Sequence, residues 1–296
     1  MRASVVAVSG GRDNVPLHIK RRSALASSRT AFLALLLRDL TVLRKGLRQF
    51  LPRTILQPFM YVFVFTYVFP TIGQGIGGSG GSRGESSFAT LLVAGVVAFS
   101  IMTQGIQAVA LPMVNEFGYT REIEDRVLAP LPVSLVALEK VAFGAVQGLF
   151  AALLVFPIAA VVHAPQLTVN LSVHWLIALT AIPLACVCCS ALGLTFGTFF
   201  EPRTVPLLFG LALVPLAFLG GTYYSWTALS PLRLGGVPWL QILVLVNPLV
   251  YINEGLRAAV TTSDHMSLYA VYPVLIGFTA LFLWVGIRSF RKRVIS

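Results

Sequence analysis

The ionisable side chains that could do chemistry are concentrated in one stretch, NEFGYTREIEDRVLAPLPVSLVALEK, which covers residues 115–140. This stretch holds five of the eleven acidic residues of the chain, whereas residues 141–200 contain no Asp, Glu, Lys or Arg. Catalysis would need a nucleophile with a nearby base or a metal-binding pattern such as H-E-x-x-H. The chain has neither pattern, so these charges are better suited to contact another molecule than to catalyse a reaction.

The composition around this stretch indicates a membrane protein. Of the 296 residues, 56% are hydrophobic and only 11% are charged, and the mean hydropathy is +0.83. A soluble domain carries about 25% charged residues, and a soluble surface this apolar would aggregate. The apolar runs are long and continuous, as helices of roughly 20 residues across a bilayer require, whereas barrel strands would alternate. We therefore expect an all-α integral membrane protein.

The apolar runs predict about six membrane-spanning helices. They cover residues 54–72, 88–112, 137–161, 173–197, 204–224 and 267–287. Together they define one transmembrane domain over residues 31–290, with a flexible basic tail at 1–30 and a short basic tail at 291–296. The tail at 1–30 lacks the apolar core of a signal peptide. The apolar run 238–247 is too short to cross a bilayer, so we expect short re-entrant helices before the last span.

The distribution of cations predicts the orientation of these spans. Nineteen of the 22 Lys and Arg residues lie in segments that six spans would place on one side. The positive-inside rule makes that side the cytoplasm, so both termini and residues 115–140 are expected there. A seventh span would put the basic C-terminal tail outside, against this rule. The net charge of +11 then reflects topology and attraction to anionic lipids, with no sign of nucleic-acid binding.

A basic amphipathic helix is predicted immediately before the first span, within residues 31–51. Its apolar face is spaced at three- and four-residue steps by Leu36, Leu40, Leu43, Leu47 and Phe50. Such a helix can lie in the membrane interface with its cations near lipid phosphates, and the alternative is an extended start of the first span. The candidate polar residues of this interfacial helix are Arg38, Asp39, Arg44, Lys45 and Arg48.

The charged stretch itself predicts a short helix between two spans. Thr120 can cap it, acidic residues in its first turn oppose the positive helix end, and the Ala-Pro-Leu-Pro sequence at 129–132 ends it. We interpret residues 119–129 as a docking helix for a cytoplasmic partner, against the alternative of a solvated loop. The candidate contact residues are Glu116, Gly118, Tyr119, Arg121, Glu122, Ile123, Glu124, Asp125 and Arg126.

The spans themselves offer no energy source. A transporter that uses an ion gradient usually needs an acidic residue or a broken helix at the midplane, and the third and fourth spans have neither. The glycine-rich loop at 73–87 lacks the Lys-Ser or Lys-Thr pair of a Walker motif. Any work done by this chain must therefore be driven by a partner.

Small residues in the spans indicate close helix packing. Gly144 with Gly148 and Gly193 with Gly197 have the Gly-x-x-x-Gly spacing, which favours packing within the subunit or, less readily, a dimer face. The three cysteines, Cys186, Cys188 and Cys189, lie in an apolar run without partner ligands elsewhere. We interpret them as small apolar helix residues and expect no metal site.

Three segments resemble the membrane subunit of type-2 ABC exporters, the class of drug-resistance, O-antigen and nodulation-factor permeases. LLLRDLTVLRKGLRQFLPRTILQPFMYVFVFTYVF (35–69) is similar to the interfacial helix and first span of that family. The charged stretch matches its loop, with Glu116, Gly118, Leu128 and Pro132 in the family pattern. FLGGTYYSWTAL (218–229) and PWLQILVLVNPLVYINEGLR (238–257) resemble its strongest signature, in which Asn247, Pro248, Glu254 and Arg257 stand before the last span.

This resemblance implies a permease subunit that works without a catalytic residue or cofactor of its own. Two such subunits, identical or related, would assemble in a prokaryotic plasma membrane with two copies of a separate ABC ATPase that uses ATP and Mg²⁺. The docking helix and the interfacial helix would carry the ATPase movement into the spans. The substrate would be an amphipathic drug or lipid-like compound; alternatives are a polysaccharide or glycolipid, or a non-transporting role as an assembly factor. Glu254 and Arg257, three residues apart, would form an ion pair.

Overall fold

The computed structural model describes residues 24–72, 81–120, 132–162 and 172–295, which form a bundle of helices. Within these ranges the only β-type pairing is an isolated bridge between Leu234 and Val237, so the predicted all-α class is confirmed. In chain order the α-helices are α1 (Ala24–Lys45), α2 (Leu47–Thr71), α3 (Gly81–Asn115), α4 (Val133–Val161), α5 (Trp175–Phe199), α6 (Val205–Leu219), α7 (Trp239–Leu243), α8 (Pro248–Val260) and α9 (Leu268–Ile295).

Five of these helices, α2, α3, α4, α5 and α9, are long and apolar enough to cross a membrane. The fifth predicted span, 204–224, is represented by the 15-residue helix α6, which at about 1.5 Å per residue is only about 23 Å long. Helix α6 has a proline in its first turn and ends at Leu219, with Gly220 as its C-cap and Gly221 following at a φ of +75°. Helices α7 and α8 meet at a bend of 97°, as expected for re-entrant helices; counted as one broken span, they bring the total to six.

Helix α2 is irregular because of its sequence. Pro52 and Pro58 lie inside it, and Phe63–Val68 forms a π-helical stretch. Within that stretch the Thr66 hydroxyl lies 2.7 Å from the Val62 carbonyl and 2.9 Å from the carbonyl of Val162 at the end of α4. This hydrogen bond fixes the widened turn of α2 to the end of α4. Single π-helical turns inside α-helices are frequent at functional sites.

Helix α3 is the centre of the bundle. In its most apolar 18-residue segment 89% of the residues are buried, and the helix packs against α4, α5 and α8. Gly193 of α5 allows the closest approach, because a Cβ atom there would lie 2.6 Å from the Ile106 carbonyl oxygen. Gly144 and Gly197 likewise face Val109 and Met113 of α3. The predicted packing of both Gly-x-x-x-Gly pairs within the subunit is confirmed.

Substitution of Gly95 tests the close packing of α3 against the backbone at Thr222. A Cβ atom at this position would lie 2.0 Å from the Thr222 carbonyl oxygen, so Gly95→Ala must displace the backbone between α6 and α7. We expect the free energy of unfolding to fall by roughly 1–3 kcal/mol, the usual cost of overpacking. Thermal unfolding of the detergent-purified protein measures it.

The matched control is Gly210→Ala in α6, where nothing lies within 4 Å of the added methyl group. Here we expect a gain of roughly 0.5–1 kcal/mol, because alanine restricts the unfolded chain and favours the helix. Equal unfolding midpoints for the two variants would contradict the backbone contact at Gly95.

Helix α1 is a separate element from α2. It ends at Lys45, and Gly46, with φ −87° and ψ 4°, separates it from Leu47 at the start of α2. Its inner face packs against a buried cluster from α3, α4, α5 and α9 through Ala31, Phe32 and Leu35. The predicted cations Arg38, Arg44, Lys45 and Arg48 are exposed. Most of the predicted apolar face is half-buried, and Leu47 is exposed.

Candidate functional site

A buried charge cluster, formed by Lys140, Asp39 and Glu116, lies where α1, α3 and α4 meet. The Lys140 ammonium is 3.2 Å from Asp39 Oδ2 and 2.8 Å from Glu116 Oε1. All three residues are at least 93% buried. Burial of an ammonium group without compensation would cost several kcal/mol, and the two carboxylates offset this cost at Lys140.

Each member of the charge cluster comes from a different element. Asp39 lies in the second half of α1, and Glu116 begins the π-helical turn that continues α3 to Thr120. Lys140 lies two turns into α4, which begins at Val133 after Pro132 in an extended conformation. Residues 121–131 thus leave α3 a few residues after Glu116 and enter α4 a few residues before Lys140. Because the charge cluster joins α3 and α4 to α1, a displacement of residues 121–131 would be transmitted to all three helices.

A polar cleft opens at the same end of the bundle, between α2, α3, α4 and the α5–α6 connection. Its volume is about 640 Å³. Arg53 of α2 and Arg203 before α6 line it, together with Gln104 and Gln107 of α3 and Gln147 of α4. The Arg53 guanidinium donates to the Gln107 side-chain oxygen over 3.3 Å. The volume is within the range of about 300–1,000 Å³ that is usual for ligand pockets.

A second buried ion pair stabilises the hairpin of α7 and α8 at the opposite end. Arg257 Nη1 lies 2.6 Å from Glu254 Oε1, so the expected ion pair is present. Arg257 also donates to the carbonyls of Gly221 and Tyr224, while Glu254 accepts from the backbone N–H groups of Trp226 and Met266. This network fastens α8 to the segments that precede α7 and α9.

The Asn-Pro sequence starts α8 in the way its residues predict. The Asn247 side chain accepts from the Leu249 N–H over 2.9 Å as an N-cap, and Pro248 occupies the first turn, where its missing donor costs nothing. The Asn247 amide also donates to the Leu216 carbonyl of α6 over 2.8 Å. One residue thus caps α8 and joins it to α6.

The predicted docking residues are only partly described. Glu116 belongs to the charge cluster, and Gly118 lies against Pro202, with 3.0 Å between an added Cβ atom and the proline Cβ. The docking helix itself, with Arg121, Glu122, Ile123, Glu124, Asp125 and Arg126, lies outside the described residues, as does the side chain of Tyr119.

Asp39 departs from its predicted place. It was expected on the polar face of an interfacial helix, and instead it is buried against Lys140. The reason is that α1 lies on the bundle, so one polar position of α1 faces protein. The sequence also contained a signal for a buried ion pair that the prediction did not use, because the cation Lys140 lies within the predicted span 137–161. The glutamines of the polar cleft were missed because a search for charges passes over neutral amides.

Known proteins resemble this chain over most of its length. The family model described as ABC-2 type transporter matches residues 30–261. The inner membrane transport permease YadH of Escherichia coli (strain K12) is 30% identical over 211 residues, which cover 70% of this chain and 76% of the relative. The protein of the same name from Shigella flexneri has the same identity and coverage. The match to the family model includes all three members of the charge cluster, Asp39, Glu116 and Lys140.

Proposed function

Because the chain belongs to the ABC-2 type transporter family of membrane permeases, we propose that it forms the translocation pathway of an ATP-driven exporter for an amphipathic drug or lipid-like compound. Membership of the family implies a bilayer and an ABC ATPase as partners. In our proposal the ATPase is a separate subunit present in two copies, which bind ATP and Mg²⁺. A second permease subunit, identical or related, completes the pathway in the inner membrane, with both termini in the cytoplasm.

The observation that carries this proposal is the charge cluster at Lys140. A permease without an energy source needs a rigid connection between the part that meets the ATPase and the helices that move. The charge cluster joins α1 to both helices that flank residues 121–131 through two contacts of 2.8 and 3.2 Å. Movement of a docked ATPase would therefore reach α1, α3 and α4 together, and α3 packs against most of the remaining spans.

Charge reversal in the docking segment tests the coupling. We expect the triple variant Glu122→Arg, Glu124→Arg and Asp125→Arg to lower the ATPase activity of the co-purified complex at least about tenfold, because each reversal replaces an attraction across the contact by a repulsion. The measurement is ATP hydrolysis per mole of permease, with the amount of bound ATPase determined on the same preparation.

The control for this triple variant is Asp264→Arg, since Asp264 is exposed between α8 and α9, away from the charge cluster. It should leave assembly and hydrolysis unchanged. Normal assembly and normal ATP hydrolysis in the triple variant would contradict the proposed docking of the ATPase to this segment. A complex that assembles and hydrolyses ATP but moves no amphiphile in proteoliposomes would instead support the assembly-factor alternative.

A second candidate substrate class is favoured by an aromatic ladder on α2. The rings of Phe59 and Phe63 are 5.8 Å apart and nearly parallel, and those of Phe63 and Tyr67 are 5.4 Å apart. Stacked rings on a half-exposed helix face can contact the apolar faces of sugars, as a polysaccharide or glycolipid permease would require. ATP-dependent movement of a glycolipid and not of a simple amphiphile in the same proteoliposomes would favour this class.

A further inference from the structure

The polar cleft has an unusual position for its chemistry. Gln147 lies at the midpoint of the span Val133–Val161, and Gln104 lies within one residue of the midpoint of Phe88–Gly118. Glutamine amides are expensive in hydrocarbon unless they have a polar partner or line a wet cavity. All three glutamines line this cleft, so they form a polar surface that reaches from one end of the bundle to its middle.

The length of the polar cleft follows from α3. Gln104, Gln107, Leu111 and Asn115 recur at three- and four-residue steps, so they share one face of that helix. The eleven residue steps from Gln104 to Asn115 correspond to about 16 Å along the helix. The cleft is thus long enough for an extended molecule that enters at the α5–α6 connection.

The charge of the polar cleft is positive. Arg53 and Arg203 both line it, and no carboxylate of a described residue lies within ion-pair distance of either guanidinium. Glu201, two residues before Arg203, does not line the cleft. Arginine presents several N–H donors in a plane and binds phosphate, sulfate or carboxylate oxygens through paired hydrogen bonds. Two such groups in the wall of one cleft favour an anion and repel a cation.

The remaining wall of the polar cleft is apolar. Phe50, Leu111, Pro112 and Val114 line it beside the polar groups. A ligand that satisfies both kinds of wall has an anionic head that can also bind the glutamine amides and an apolar body. A purely hydrophilic anion would leave the apolar wall unused, and a cationic drug would meet the two arginines.

We propose that the polar cleft binds the head of an amphipathic anion, with Arg53 and Arg203 binding its phosphate, sulfate or carboxylate group and the three glutamines contacting the head as it moves inward. This assignment rests on the proposed function and narrows its substrate class from any amphiphile to an anionic one. The same head chemistry belongs to an exported solute and to an anionic phospholipid, and these two sources are separated below.

The test measures binding of two fluorescent probes to the full chain with its ATPase in phosphatidylcholine nanodiscs. The probes are dansyl-labelled dodecyl phosphate and dansyl-labelled dodecyl trimethylammonium, which share the apolar body and differ in the sign of the head. We expect the phosphate probe to bind at least about tenfold more tightly. The double variant Arg53→Gln and Arg203→Gln should remove that preference, since each charge-assisted contact is worth about a tenfold factor.

The matched control is the double variant Arg291→Gln and Lys292→Gln, which removes two exposed cations from α9 that do not line the polar cleft. It should keep the preference for the phosphate probe. The single variant Arg53→Lys, which retains the charge, keeps the test decisive if the double variant fails to fold: the ratio of the two affinities should fall less than in Arg53→Gln. Equal affinity for both probes, or an equal loss in the cleft and control variants, overturns the proposal.

Proteoliposomes that contain the same complex separate the two sources of the anion. ATP-dependent movement of the phosphate probe supports an anionic substrate. Binding of the probe without movement, together with competition by phosphatidylglycerol, supports a phospholipid head in the same site, and it would count against the proposed transport function while leaving the anion site in place. Movement of the trimethylammonium probe alone overturns the anion site and leaves the transport function standing.

Discussion

Replacement of Lys140 by methionine is expected to lower the free energy of unfolding by about 3–5 kcal/mol, because it leaves Asp39 and Glu116 buried without the cation that lies between them. Methionine fills a similar volume, so the loss reports charge and not a cavity. The thermal unfolding midpoint of the detergent-purified permease measures stability, and ATP hydrolysis of the assembled complex measures coupling. Both are expected to fall.

The triple variant Lys140→Met, Asp39→Asn and Glu116→Gln provides the control. It removes all three charges of the cluster at once, so neither carboxylate of the cluster is left without its cation, and most of the lost stability should return. If the charge cluster transmits movement, ATP-dependent transport should remain low in this stable variant. A triple variant with normal transport would show that the cluster only supports the fold. An unchanged unfolding midpoint for Lys140→Met alone would contradict the burial of the cluster.

Replacement of Arg257 by leucine is expected to have an effect of similar size at the other end of the bundle. Arg257 is fully buried, and its loss would leave the Glu254 carboxylate without its cation and two carbonyls without their donor. We expect a loss of about 3–5 kcal/mol of unfolding free energy, with α8 released from the segment before α7. The unfolding midpoint gives the stability. Trp226, whose backbone N–H donates to Glu254 over 2.9 Å, reports the position of that segment by its fluorescence once the other three tryptophans of the chain are replaced by phenylalanine.

Two further variants serve as comparisons for Arg257→Leu: the conservative replacement Arg257→Lys and the exposed control Arg233→Leu. Lysine keeps the charge but cannot reach two carbonyls and a carboxylate with one planar group, so an intermediate loss is expected. Arg233 is exposed in the same part of the chain and donates to the Ser230 carbonyl. Its replacement should change stability by less than about 0.5 kcal/mol. A midpoint for Arg257→Leu equal to that of Arg233→Leu would contradict the network.

The fold was largely predictable because the dominant signal is local. Continuous apolar runs of about 20 residues require helices in a bilayer, whatever their neighbours are. Helix α6 was the weaker case, since the prediction continued its span to residue 224 and the helix ends at Leu219. Gly220 and Gly221 end α6, and Thr222 then lies against Gly95 of α3. The sequence around 220 shows the glycines, but the contact with α3 depends on a residue more than 120 positions earlier.

The candidate sites were less predictable because they depend on distant pairings. Asp39 and Lys140 are 101 residues apart, and no periodicity relates them. The ion pair of Glu254 and Arg257 was predictable because the two residues share a helix face three positions apart. The polar cleft draws residues from four parts of the chain. Its glutamines carry no charge, so only their position at the middle of a span could have drawn attention to them.

The burial of α3 also has a consequence for how the protein is made. During synthesis α3 enters the bilayer before α4 and α5, which later cover it, so its residues first meet lipid. This helix is apolar enough to cross a membrane although it contains Gln104 and Gln107, whereas a lysine or aspartate near its centre would add about 2.5–3.5 kcal/mol to the cost of insertion. Biogenesis thus limits the α3 wall of the polar cleft to neutral polar groups. New charges for altered selectivity can be acquired more easily on the walls outside α3, where Arg53 and Arg203 already line the cleft.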